Sequence, residues 1–525
     1  MTLAVKLLVL ASLALYAGAG TVALRRPISD FYVAGRLVPG LFNGMTIAIS
    51  LVPVLVFAEL AGALSQGWDG ASLLVLGGAG GILLIAFLIA PYLRKFGGYT
   101  VADFLAERFG GMGIRPLAVI AVILCSFPAL ALTLLGLGVI VTQIFSVEIR
   151  TGIGLAAAMV LLCSFAAGMR SASLTQVVQY AVLLAVSLVA LGLLVWLRGA
   201  IFSGGEPVGF KSALTLFELD SFAPQDGLNR LGLLFCLATG IASLPYLLLR
   251  GLVTPSIHEA RSSFLWALPF TAALLVVAAP YLSLFDGPPV SSEANAILSF
   301  GIVATGAIAA LLAAGSGLVL AIANALSYDL YYRSLHCTAS TGQRILIGRI
   351  ALLLVVGLAA WAAIAAPEIL PALTATAFSL AASAFLPALL LGIWWKRATS
   401  EAALAGMLAG LLVCLYYMLA PRYIPFAFYE TSSFLSNATQ DEAARYAALS
   451  QAYYLADEPA RAGALAAWKA TALELANWGG IRREFAALFA VPIGFLVMIC
   501  ASLFTPAPSR DVQSFVEDLR KPQAA

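Results

Sequence analysis

Thirteen stretches of about twenty apolar residues follow one another along this chain, near 2–24, 41–66, 71–93, 115–146, 152–169, 173–198, 231–250, 262–285, 301–330, 345–365, 370–395, 401–419 and 485–505. A helix of that length reaches across the roughly 30 Å hydrocarbon layer of a bilayer. With 62% hydrophobic and 10% charged residues, the 525-residue chain has too little polar surface to coat a water-soluble globule. Lipid admits only helices and closed barrels, so the expected fold is an all-α polytopic membrane protein.

Two stretches are interrupted alike, near Ser50 to Pro53 and at Gly240-Ile241-Ala242-Ser243-Leu244-Pro245, and each opens a run of five. A helix in lipid cannot leave backbone groups without partners, so a break at mid-membrane depth persists only where it lines a cavity or binds something. The pairing predicts a transporter with its substrate site at the breaks. Gly77-Gly78-Ala79-Gly80-Gly81, in the third stretch, reads as a surface for close helix packing. Trp394 and Trp395, ahead of Lys396 and Arg397, read as an interfacial belt.

The formal net charge of +3 is scattered and no basic run is interleaved with aromatics, so nucleic-acid binding is not expected. If the first stretch enters from outside, cytoplasmic loops receive Arg25, Arg26, Arg36, Arg94, Lys95, Arg108, Arg115, Arg170, Arg250, Arg261, Arg333, Arg344, Lys396 and Arg397. The opposite side receives Arg150, Arg198, Lys211 and Arg230, an asymmetry that puts the amino terminus outside and the carboxyl terminus inside. Ala17-Gly18-Ala19 also resembles a signal-peptidase site; Lys6 before the apolar run, with Arg25 and Arg26 after it, favours a retained helix. The six cysteines and two histidines show no metal-ligand spacing, and no disulfide is expected. No nucleophile elbow, phosphate-binding glycine loop or Cys–His arrangement is present, so the chain is not read as an enzyme. Residues 420–484 form an outer insertion, with helices expected from Ala443 to Ala456 and from Asp457 towards Trp478. That insertion reads as a lid or docking surface without chemistry, or as a partner-binding site.

Several strings resemble the sodium:solute symporter superfamily: Ser29-Asp30-Phe31-Tyr32-Val33-Ala34-Gly35-Arg36, the run from Gly97 to Phe109, and Gly168-Met169-Arg170-Ser171 with Gln179. The stretch from Gly240 to Arg250 resembles the Gly-Thr-Ala-Gly-Leu-Pro-His segment of its acetate and pyruvate branch. Phe385-Leu386-Pro387 to Lys396-Arg397, and Phe504-Thr505-Pro506-Ala507-Pro508, fit the same branch. The resemblance implies a LeuT-like fold of inverted five-helix repeats at 41–198 and 231–397. Around them lie a peripheral helix and opening signature at 1–40, an outer loop at 199–230, an accessory helix at 398–419, the insertion at 420–484, and a last helix with its cytoplasmic tail at 485–525. It implies uptake of a small monocarboxylate such as acetate, lactate or pyruvate across a bacterial inner membrane by alternating access. Sodium is the family's default coupling ion, no other cofactor is implied, and branch relatives often act with a small two-helix membrane subunit.

Unwound backbone around Ile49 to Val54 and Gly240 to Pro245 is expected to aim N–H groups at a carboxylate, helped by the hydroxyls of Ser50, Thr239 and Ser243. Pro53, Val56 and Pro245 belong to the same set. Gly240 stands where sugar-carrying relatives place a large aromatic, which leaves room at the backbone. The resemblance implies a cation between the carbonyls of Ile49, Val52 and Ala310 and two hydroxyl side chains whose positions fall on Ala313 and Ala314. Gln176 replaces an acid that many relatives carry. Sodium coupling would then need Ser316 or water to substitute. Glu59, an ionisable group inside the second stretch, is either a proton carrier or a hydrated residue at the outer mouth. A proton-coupled carrier, and a transporter-like sensor or partner-dependent subunit that has lost sodium coupling, are the alternatives.

Overall fold

The computed structural model describes residues 3–21, 28–56, 68–110, 113–165, 168–201, 227–283 and 301–521, and every expected apolar stretch carries a helix. The long helices are α1 (Leu3–Thr21), α2 (Gly40–Val56), α3 (Trp68–Leu84), α4 (Ile114–Phe145), α5 (Ile149–Ser164), α6 (Met169–Ile201) and α7 (Gly227–Ser243). There follow α8 (Pro245–Leu252), α9 (Ile257–Ser283), α10 (Ile302–Asn324), α11 (Thr341–Ala365), α12 (Leu370–Trp394), α13 (Ser400–Tyr423) and α14 (Ala487–Phe504). A π-helical segment, Ala325–Leu335, continues α10.

Among the described residues, eight helices are long and apolar enough to cross a membrane, or nine if α7 and α8 form one bent span. The chain is therefore multi-pass. Thirteen crossings are not reached by that measure: α1, α2 and α5 count there only as shorter apolar helices. The window within α10 is wholly buried whereas that of α11 is 33% buried, which makes α10 a central post and α11 an outer one.

Contacts between the helices repeat on exchange of α2–α6 with α7–α12. The helix α2 packs on α9 as α7 packs on α3, α6 on α10 as α12 on α4, and α4 on α5 as α10 on α11. The first member of each half thus lies against the second member of the other. Both of those contacts need glycine. A Cβ on Gly44 would stand 2.7 Å from the Trp266 Cβ, and one on Gly81 would stand 2.6 Å from the Ile241 Cβ. The glycine run of α3 is therefore a packing surface, as its sequence suggested.

The two expected breaks fare differently. Leu244 is extended (φ −64°, ψ 119°), and α7 and α8 meet there at 44°. Pro245 occupies the first turn of α8, where no backbone N–H is required. By contrast, α2 is helical through Ser50 to Pro53, so no unwound segment exists at Ile49 to Val54. A proline inside a 17-residue helix removes one hydrogen bond, that of the Ile49 carbonyl four residues back, and the flanking turns hold the rest.

Two soluble pieces are built more fully than expected. The insertion at 420–484 adds a helix at Pro425–Ser432, and its next helix begins at Gln440, ahead of Ala443, because Thr439 and Glu442 form a capping box. Tyr429, Tyr446, Trp468, Ala472 and Leu475 give it a core of its own. The tail forms a helix, Arg510–Arg520, tied by Glu517 to Lys396 at 2.8 Å and by Phe515 to Phe96.

Gly81→Val is expected to destabilise the protein by about 1–3 kcal/mol through overpacking against α7, read as a lower thermal midpoint. At the insertion, hydrogen bonds from the Thr439 backbone N–H and hydroxyl hold the Glu442 carboxyl below its ordinary value of 4.5. A depressed acid stabilises above its unfolded pKa and loses that contribution as pH falls through its folded pKa. The first turn of Gln440–Leu455 is thus expected to fray on acidification below pH 4.5, and Glu442→Gln to abolish that pH dependence. Hydrogen exchange, corrected for intrinsic rates, reads both.

Candidate functional site

Beside the break lies a narrow cleft of about 10 Å³, room for little more than one water, lined by Thr100, Val101, Ala102, Val122, Pro245, Leu249, Ala321, Ala325 and Asp329. Its walls are apolar except at the Asp329 end. There, one carboxylate oxygen of Asp329 accepts from the Thr100 hydroxyl at 2.8 Å and from Arg115 Nη1 at 3.0 Å. Arg115 also pairs with Asp103 at 3.1 Å, and Arg333 reaches Asp103 at 3.5 Å. The Tyr328 hydroxyl donates to the other Asp103 oxygen at 3.3 Å. Two acids and two arginines thereby join the helix Val101–Phe109, the start of α4 and the π-helical end of α10.

Of the expected substrate residues only Pro245 lines this cleft, and the structure changes what several of the others can do. Hydroxyls of Ser50, Thr239 and Ser243 donate to the carbonyls of Thr46, Phe235 and Thr239, each four residues back, at 2.7, 2.6 and 2.8 Å. Each hydrogen is spent on the helix that carries it, so these oxygens are left as acceptors. No side chain caps the first turn of α8, but Pro245 has no N–H and those of Leu247 and Leu248 donate to the Leu244 carbonyl, so of that turn only the Tyr246 N–H is left to offer. Gly240 leaves no vacant space. A Cβ there would stand 2.6 Å from the Phe378 Cβ and 2.9 Å from its backbone, so this glycine lets α12 approach α7. Ile49 is buried on α2. Side chains of Val52, Pro53 and Val56 are not among the described ones, and Glu59 lies outside the described residues.

Ala310, Ala313 and Ala314 are buried on α10. The two last offer methyl groups where a hard cation would need oxygen, and the Ser316 hydroxyl donates to Leu312 of its own helix at 2.7 Å. The Ala313 carbonyl accepts from Gln176 Nε2 at 2.7 Å. The oxygen of that same Gln176 amide accepts from Arg250 Nη2 at 2.5 Å, and Arg250 Nη1 donates to the Ser173 hydroxyl at 3.1 Å. Sodium, stripped of water, needs about five or six oxygens. Ala313 and Ala314 bring no side-chain oxygen to such a set.

Reading the charges as loop charges missed the most buried ones. Arg250 is 0% exposed in the last turn of α8 and Arg108 is 1% exposed. Arg108 donates to the carbonyls of Gly392 in the last turn of α12 and of Trp395 and Ala398 just after it, and burial lowers its pKa to about 10. The available signal was an arginine embedded in Leu247-Leu248-Leu249-Arg250-Gly251-Leu252, where a charge is costly unless used. The signature strings hold one another: Arg36 donates to the carbonyls of Gly97 and Gly98, and Arg170 pairs with Asp30 at 3.5 Å. Gly35, at φ 64°, permits this turn.

A helix broken at a cleft between two exchanging halves of a multi-pass bundle defines a membrane carrier. The sequence model of the sodium:solute symporter family matches residues 31–285 and 294–410, and the chain belongs to that family. It is 30% identical to an uncharacterised symporter of Cupriavidus necator, over 97% of this chain and 92% of that protein. A monocarboxylic acid transporter of Corynebacterium glutamicum is 26% identical, over 74% of this chain and 78% of that one. In fold, the chain matches a Na⁺-coupled sialic acid symporter solved in a substrate-bound outward-open state, with TM-score 0.68 and 14% identity over 97% of this chain and 99% of that one. The LeuT-like architecture expected from the sequence is the one observed, and the family is one of transporters, not enzymes.

Arg115→Gln leaves Asp103 and Asp329 facing each other without their shared cation, and is expected to cost about 3–5 kcal/mol. Adding Asp329→Asn is expected to recover part of that loss, as read by chemical denaturation of both variants.

Proposed function

We propose that the chain carries a small monocarboxylate, such as acetate, lactate or pyruvate, across a bacterial inner membrane as a symporter working by alternating access. The observation that supports this most is the break at Leu244, where α7 gives way to α8 beside a narrow and otherwise apolar cleft. A short acid needs a few N–H donors for its carboxylate and apolar walls for its methyl group. The name of the Corynebacterium relative favours the same substrate class.

In this reading the two exchanging halves, 41–198 and 231–397, rock about the site, with the amino terminus outside and the carboxyl terminus inside. The buried Asp103–Arg115–Asp329 network is the inner closure, because it fastens the wall of the cleft to the end of the central α10. Sodium is the coupling ion in the family's name and in that of the sialic acid symporter. The alanines at 313 and 314 do not fit it, and no step of the cycle is routed through it. The hairpin of Gln440–Leu455 and Glu458–Leu475 would serve as a lid or as the seat of a small membrane subunit.

Counterflow of labelled acetate, lactate and pyruvate in proteoliposomes tests the proposal. Transient accumulation of at least one acid is expected; its absence for all three leaves the sensor reading. Pro245→Ala, which allows α7 and α8 to merge into one rod, is expected to slow counterflow by about tenfold or more.

A further inference from the structure

We infer that the Arg250 guanidinium, acting through Gln176, stands in for the coupling cation, so that this carrier neither binds nor requires sodium. The inference goes beyond the monocarboxylate reading and does not depend on it.

Arg250 is fully buried, and no carboxylate lies within ion-pair distance of it among the described residues. Among the described residues its Nε has no hydrogen-bond partner, and its side-chain partners, Gln176 and Ser173, are neutral. A buried charge of this kind is costly and survives where something uses it. Part of the cost is offset by position: the last turn of α8 carries the negative end of the helix dipole.

What the charge reaches is specific. Arg250 polarises the Gln176 amide by bonding its oxygen, and the amide's N–H end then points at the carbonyl of Ala313 on α10. Ala313 is one of the two positions where the family resemblance expects hydroxyl ligands for sodium. The chain of groups runs from the half-helix after the break, across α6, to the central α10. An ion between helices would make the same kind of tie, drawing carbonyl oxygen and broken helix together; here a positive charge carried on a side chain makes it through two hydrogen bonds.

Three departures from the family's pattern agree with this arrangement. Ala313 and Ala314 withhold two ligands, and Gln176 withholds the carboxylate that would neutralise Arg250. Together they leave net positive charge and N–H donors beside the place where a cation would sit, which repels sodium.

Thermal unfolding of the purified full chain, with sodium chloride titrated against choline chloride at constant ionic strength, tests this without any substrate. Coincident midpoints in the two salts are expected; a saturable, sodium-specific rise overturns the proposal. The variant Arg250→Gln with Ala313→Ser and Ala314→Ser removes the charge and returns both hydroxyls, and it is expected to acquire that sodium-specific rise. A folded triple variant indifferent to sodium would overturn the role given to Arg250. Arg250→Lys, which keeps the charge, is expected to remain indifferent; sodium sensitivity in it would count against the proposal. In proteoliposomes, wild-type counterflow is expected to match within about twofold in sodium and choline. Counterflow absent in both salts would count against the substrate reading alone, since the unfolding measurement stands apart from it.

Discussion

The structure depends on one constraint: inside a bilayer, every backbone N–H and carbonyl must find a partner within the protein. At Leu244 the chain departs from helical geometry, and three devices keep that departure tolerable. Proline begins the next helix, so one donor is absent where it would be idle. The Leu244 carbonyl accepts from both Leu247 and Leu248, and its N–H reaches the Ile241 carbonyl at 3.4 Å. Neighbouring helices then surround the break, so lipid does not meet it.

Exchange of contacts between the two halves explains why such a break can sit in a stable bundle. Each half lends its second helix to brace the first helix of the other, and the bracing is glycine against a large side chain in both cases: Gly44 with Trp266, Gly77 and Gly81 with Leu237 and Ile241. Backbones brought this close gain dispersion contacts that lipid could not supply. The broken element is thereby held by an intact one along its length.

Much of this was legible from composition and spacing. Apolar run length placed every long helix, because a membrane leaves few other ways to use such runs, and Pro245 marked the break. Local pattern failed wherever the answer lay across the bundle. Pro53 resembles Pro245 in sequence, yet it falls mid-helix where the adjoining turns override it. Gly240 looked like vacant space until Phe378, 138 positions away, was seen to fill it. The serine and threonine hydroxyls looked like donors, but i−4 carbonyls of their own helices claim the hydrogens. Arg250, Arg115 and Asp329 were invisible as a group because their partners come from distant segments, and spacing along a chain does not encode such meetings.

The tail helix carries a consequence for motion. Glu517 holds Lys396 just past the second half, Phe515 rests on Phe96 at the foot of the first, and Lys95 donates to the carbonyls of Asp518 and Lys521. A short amphipathic rod outside the bilayer is thus pinned to both halves on one face. Any separation of the halves on that face has to tear one of those fastenings, so the tail sets a toll on the gape of the molecule and, with salt-sensitive pins, ties that toll to ionic strength.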